Sequence, residues 1–168
     1  DRPPPGPHSA PELVLALPAY STAVDMWSVG CIAAEILSGQ VLFEAEDSFA
    51  HLSAIIVFAR PTLDELAWVP ADNPARAFVC FCTETTHRLG CRGSALLPEV
   101  GPELTSLLKG TIRLDPHRRL TAVQALRLPG FEGFAPDRDP LVWEDAAAVP
   151  DLVGRESATL RGPRGGRA

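Results

Sequence analysis

The sequence predicts a mainly α fold. Three observations carry that prediction: an apolar stretch over residues 22–38 that stops at Gly39, a run over 47–58 whose apolar residues recur at helical spacing behind Asp47, and two short bounded segments over 102–113 and 121–126. A 3.6-residue apolar period framed by start and stop residues is the primary signature of helix in a sequence. The chain has 168 residues, 46% of them hydrophobic and 21% charged, which is ordinary for one soluble globular domain. A domain of this length buries on the order of 70% of its unfolded surface, so a core is affordable.

Residues 1–9, rich in proline and without period, predict a disordered or extended start. Pro11 can open a short helical turn, because proline suits the first helical position, and Pro18 ends it. Residues 22–38 follow as a helix of about 25 Å at 1.5 Å per residue. Thr22 can cap it, Asp25 stands three residues later as in a capping box, and Gly39 is its stop. Apolar residues lie on nearly all sides, which predicts a central, buried helix. Within it Asp25 needs explaining, because an unpartnered buried charge is costly. Glu35 is its other charge.

Asp47 can cap a second helix, with Phe49, Leu52, Ile55, Ile56 and Ala59 at helical spacing and Pro61 as the stop. Residues 63–68 allow a further short helix. Residues 71–100 mix prolines and glycines with the patch Phe78-Val79-Cys80-Phe81 and read as a long insertion without clear pattern. Pro102 opens a third helix to 113, with Leu104, Leu107, Leu108 and Ile112 on one face. Thr121 caps a fourth to 126. Phe131 and Phe134 can fold back on the core. Residues 136–168 read as a flexible tail with a basic, Gly-rich end.

Charge and apolar patterning exclude several function classes. The net charge is −6 and the pI about 5.2, so no basic nucleic-acid surface is indicated. No apolar run approaches the roughly 18 residues of a membrane span, and no signal-peptide pattern opens the chain. The four cysteines suit a reduced, intracellular setting in nucleus or cytoplasm. Cys31, inside the apolar helix, reads as a small core residue. The abrupt Pro-rich opening without Met suggests a fragment or a processed product.

Three blocks then fall in order. Ala10-Pro11-Glu12 resembles the A-P-E that closes the activation segment of protein kinases. Asp25-Met26-Trp27-Ser28-Val29-Gly30 is similar to the kinase D-x-W-S-x-G. Leu114-Asp115-Pro116, with Arg119, Thr121-Ala122, Ala125-Leu126 and Phe131, resembles the kinase pattern that ends in F-F. The resemblance covers residues 10–134 and identifies the region 10–135 as the helical C-terminal lobe of a eukaryotic serine/threonine protein kinase, with an insertion at about 71–100. The complete kinase would be two-lobed α+β. Residues 22–32 resemble cyclin-dependent kinases, and residues 47–55 resemble the cell-division-cycle seven kinase, which implies a role in cell-cycle or replication control.

The resemblance assigns roles residue by residue. Asp25 matches the Asp that accepts backbone hydrogen bonds from the catalytic loop, with Trp27 beside it; simple helix capping is the plainer alternative. Glu12 and Arg119 match the pair that ties the activation segment to the last helices, against two solvated surface charges. Ile32 and Ile36 match residues under the adenine-side hydrophobic column, and ordinary core burial predicts the same for them. Cys80, Cys82, His87 and Cys91 invite a zinc reading, but their spacing departs from C-x2-C, and unpaired thiols are the plainer reading; no metal is expected. His8, His51 and His117 read as isolated surface residues.

A complete kinase would use ATP and Mg²⁺, a protein substrate and a regulatory subunit, with no direct contact to nucleic acid or membrane. A Gly-rich loop, a strand Lys, H-R-D and D-F-G carry the chemistry in such enzymes, and this sequence contains none of them. Ser9 replaces the Arg common before A-P-E, and Leu128 stands where His is usual. The expectation is that these residues alone bind no ATP and transfer no phosphate. The competing reading is an inactive, kinase-derived interaction module that docks partners through residues 47–58 and the insertion.

Overall fold

A computed structural model describes residues 5–90 and 100–131, all within the unit Asp1–Ala135. Among these residues there is no strand; six α-helices and two 3-10 turns make the fold. The tail over 136–168, Phe134 and Cys91 lie outside the described residues.

Helix α1 (Pro11–Val14) is a single turn with Pro11 at its start. Helix α2 (Ala23–Ser38) matches the long apolar stretch, but Thr22 does not cap it: its side chain makes no cap bond, and the Ser21 hydroxyl accepts the Ala23 N–H at 3.2 Å. No capping box forms around Asp25. Gly39 closes the helix with φ +70°, its N–H donating to the Glu35 carbonyl at 2.7 Å. That left-handed backbone is the conformation glycine adopts without a Cβ penalty.

Helix α3 (Ser48–Ala59) begins as expected, with the Asp47 carboxylate accepting the Ala50 N–H at 2.8 Å. It ends in left-handed Arg60, one residue before Pro61. The short helix expected after it is a single 3-10 turn, Asp64–Leu66.

The stretch taken as an unpatterned insertion contains helix α4 (Arg76–Leu89). Its buried positions are Val79, Thr83 and Thr86, spaced as one helix face, while Phe81 and Leu89 are exposed. Two of the three inward residues are polar and two large apolar ones point outward, so the hydrophobic period was hidden. Residues 91–99 of that expected insertion are outside the described part.

Helix α5 (Pro102–Thr111) is two residues shorter than expected and buries Leu107 and Leu108; Leu104, expected on the same face, is 37% exposed. After the 3-10 turn Pro116–Arg118, helix α6 (Ala122–Leu126) starts with a full capping box: Thr121 Oγ1 accepts the Gln124 N–H at 3.2 Å, and Gln124 Oε1 accepts the Thr121 N–H at 2.9 Å. Two backbone donors that a helix start leaves unpaired are thereby satisfied.

The core lies where α2 packs on α5 and α3 packs on α1 and α4. Trp27, Cys31 and Ala34 of α2 meet Leu52, Ile55, Ile56 and Phe58 of α3 and Leu108 and Ile112 at the end of α5, with Phe43 between them. Phe43 stacks on Trp27 at 5.6 Å between ring centroids and meets Phe58 edge-on at 5.4 Å. A smaller cluster of Met26, Leu107 and Ala125 is covered by Leu128 and Phe131. Gly30 lets α2 and α5 approach: a Cβ there would stand 2.5 Å from Thr111 Oγ1.

Candidate functional site

The site grows around Arg119, which follows the 3-10 turn and is 4% exposed. Its Nη1 donates to Glu12 Oε1 at 2.7 Å and its Nη2 to Glu12 Oε2 at 2.9 Å. Nε and Nη2 both donate to the Arg113 carbonyl, at 3.1 and 3.0 Å, and Nη1 donates to the Ala23 carbonyl at 2.6 Å. Its guanidinium carbon lies 5.1 Å from the centroid of a Trp27 ring. All five N–H donors of the fork are used, and the charge is answered by a bidentate carboxylate and an aromatic face. That is the condition under which a buried ion pair is tolerated. Through one side chain the A-P-E turn, the start of α2 and the loop after α5 are held together. The Trp27 indole N–H is buried without a partner among the described residues, so Trp27 contributes through packing and its π face.

Residues 6–9, just before α1 in the stretch expected to be extended or disordered, make contacts of their own. The Ser9 N–H donates to the Gly6 carbonyl at 2.9 Å. The His8 ring nitrogen Nε2 meets Glu35 Oε2 at 2.9 Å, and the Ser28 hydroxyl donates to the His8 carbonyl at 3.2 Å. His51 Nε2 lies 3.1 Å from the Ser9 carbonyl; a carbonyl only accepts, so Nε2 carries the proton. Burial lowers the His51 pKa below its usual value, and the bond to Ser9 offsets part of that. His8 and His51 are therefore not isolated surface residues, as their sequence context suggested; His51 is 1% exposed. The available signal was position: His51 precedes Leu52 and stands four residues before Ile55 on the inner face of α3.

Asp25 is exposed in the first turn of α2, and its carboxylate has no hydrogen-bond or ion-pair partner among the described residues. Ile32 and Ile36 are 45% and 78% exposed, which corrects the expectation that they are buried, although Met26, Trp27, Gly30, Cys31 and Ala34 of the same helix are. With Val29 at 44% they form an outward apolar stripe running from Asp25. The structure thus gathers Glu12, Arg119 and Trp27 and leaves Asp25, Ile32 and Ile36 on another side of the helix.

Cys31 is fully buried and its thiol is pushed up to about 12, first by desolvation and then by the Glu35 charge. Cys80 and Cys82 are free thiols on α4, and His87 Nε2 is engaged with the Pro61 carbonyl at 2.8 Å. Among the described residues no group of three or more His, Cys, Asp or Glu is placed to hold a metal ion. No helix among them is long and apolar enough to cross a membrane.

A sequence model described as the protein kinase domain matches residues 7–131. This chain belongs to the protein kinase family. It is 35% identical to mitogen-activated protein kinase 13 of Homo sapiens, an alignment covering 79% of this chain and 35% of that protein. It is 37% identical to mitogen-activated protein kinase 12 of Danio rerio over 85% of this chain and 37% of the relative. It is 35% identical to mitogen-activated protein kinase 15 of Mus musculus over 94% of this chain and 31% of the relative. The chain spans about a third of the length of these relatives. The matched region runs from the segment held by His8 to Phe131 over the second cluster, so the whole Arg119 site lies inside it.

Proposed function

We propose that this chain is the C-terminal-lobe portion of a serine/threonine protein kinase, and that its own task is to hold the activation segment in place for a protein substrate. The observation that carries this reading is the five-bond Arg119 site, which locks the A-P-E turn to the start of α2. The unpartnered Asp25 and the exposed stripe of Val29, Ile32 and Ile36 support the second half of the reading: they suit a surface that a catalytic loop and its helices cover in a complete kinase. The reaction of that complete enzyme is transfer of the ATP γ-phosphate to a Ser or Thr hydroxyl. The residues of this chain do not fit ATP or Mg²⁺, since it contains no Gly-rich loop, H-R-D or D-F-G. The names of its relatives favour a kinase similar to the mitogen-activated group over the cyclin-dependent and cell-division-cycle seven kinases, and with that the cell-cycle role loses its main support.

The test is a phosphotransfer assay with radiolabelled ATP and a general protein substrate. The chain alone is expected to give no signal above background, and labelling that survives purification and is lost in a heat-denatured control would overturn the reading. Joined to the upstream half of a related kinase, the chain should restore transfer, and Asp25→Ala should then abolish it.

A second reading is an inactive, kinase-derived interaction module. It is favoured by Phe49 and Phe81, 58% and 62% exposed on α3 and α4, with Phe49 edge-on to Phe78 at 5.0 Å. Failure of the joined protein to transfer phosphate, with its fold intact, would favour this reading.

A further inference from the structure

A cleft opens on the far side of the core, between the end of α3 and the end of α5. Its floor is Phe58, Pro61, Leu108, Ile112 and Leu114, all buried against the core behind it. Its volume is about 230 Å³. Pockets that hold drug-sized ligands measure roughly 300–1,000 Å³, so this cleft suits one large side chain rather than a whole small molecule.

The rim is charged, and its cations outnumber its carboxylates. Glu65 is engaged: one oxygen accepts the Thr62 N–H at 2.9 Å and the other lies 3.7 Å from Arg118. Asp115 accepts the His117 N–H at 2.9 Å with one oxygen and keeps its charge on the rim. Lys109 and Arg113 are exposed and have no acidic partner among the described residues. The rim therefore carries three cations, Lys109, Arg113 and Arg118, against the two carboxylates of Glu65 and Asp115, a positive excess beside an apolar floor on a chain whose net charge is −6.

We propose that this cleft docks an acidic segment of a partner protein, which seats one apolar or aromatic side chain on the Phe58–Leu108–Ile112 floor and sets its carboxylates on Lys109 and Arg113. A single buried anchor with charges at the edge is the usual division of labour in an interface: the anchor supplies most of the affinity, and the rim supplies selection and encounter rate. The proposal does not rest on the kinase reading.

The experiment is fluorescence anisotropy of a labelled peptide with one central Phe between Asp and Glu residues, titrated with the full chain. Saturable binding is expected, about tenfold weaker when the peptide Phe is Ala, and about tenfold weaker for the Lys109→Glu, Arg113→Glu double variant. Both side chains are exposed, and far-UV circular dichroism checks that the variant is folded. A second variant, Ala59→Trp, fills the cleft without changing charge and should abolish binding. Binding that ignores the peptide Phe, binding unchanged in the folded double variant, or preference for a Lys-flanked peptide would each overturn the proposal. So would a lack of saturable binding, and saturable binding of decanoate in its place would make the cleft a site for a small amphiphile.

Discussion

Glu12 and Asp25 both stand at helix starts and both were expected from the sequence to act as anchors, yet the chain treats them in opposite ways. Glu12 is 1% exposed and both its oxygens are taken by Arg119. Asp25 is exposed and its carboxylate has no partner among the described residues. The difference separates two kinds of anchor. One is complete within these residues and should be paid for in folding stability. The other is a free acceptor, and its value would appear only where something else donates to it. Substitutions at the two ends should therefore register in different measurements.

The largest effect is expected at the closed end. Arg119→Ala leaves Glu12 as a buried, unpaired charge and frees two backbone carbonyls, so stability in urea denaturation should fall by about 3–5 kcal/mol. Arg119→Lys keeps the charge but not the planar fork and should recover only part of that loss. A drop within about 0.5 kcal/mol for Arg119→Ala would mean that the pair behaves as a solvated one, and the contrast with Asp25 would vanish.

Next comes the close approach of α2 and α5. Gly30→Ala places a methyl 2.5 Å from Thr111 Oγ1 and 2.7 Å from Ile112 Cγ1, both on the inner side of the α2–α5 packing. Overpacking of this kind costs about 1–3 kcal/mol, read as a lowered melting temperature. An unchanged melting temperature would show that α2 and α5 can part without cost.

A pH effect should come from His51. Its folded pKa lies below the ordinary value because of burial, so the unfolded chain binds the proton first as pH falls. Its contribution is fully present above the unfolded value near 6.5 and is lost as pH drops through the folded one. Stability measured from pH 7 to 5 should decline, and His51→Gln should flatten the decline. Parallel curves for the two proteins would assign the acid sensitivity to other groups.

What could be read from the sequence divides along physical lines. α3, α5 and α6 were legible because Asp47, Pro102 and Thr121 mark their starts, α2 because a long apolar stretch stops at Gly39 although its expected cap at Thr22 does not form, and Glu12 with Arg119 was legible through the motifs around each. α4 was not: its inner face uses Thr83 and Thr86, and Phe81 points outward. The clasp of His8 on Glu35 and His51 on Ser9 was hidden for another reason, since contacts between distant segments leave no local period. The exposure of Ile32 and Ile36 was unreadable too, because an apolar residue looks the same in a sequence whether its neighbours cover it or not.

The smallest effect is expected at Asp25, and it makes the comparison sharp. Asp25 sits in the first turn of α2, where a carboxylate gains from the positive end of the helix dipole, worth about 0.3–1 kcal/mol at low salt. With no hydrogen bond to lose, Asp25→Asn in this chain should cost about 0.5 kcal/mol or less, and the cost should shrink as salt is raised. A loss above about 1 kcal/mol that persists at high salt would mean that Asp25 is held within these residues after all, and that it and Glu12 are anchors of one kind. If the loss is small and salt-sensitive, the carboxylate is free to accept a donor from outside, and substituting it in a complete, active kinase becomes the decisive comparison.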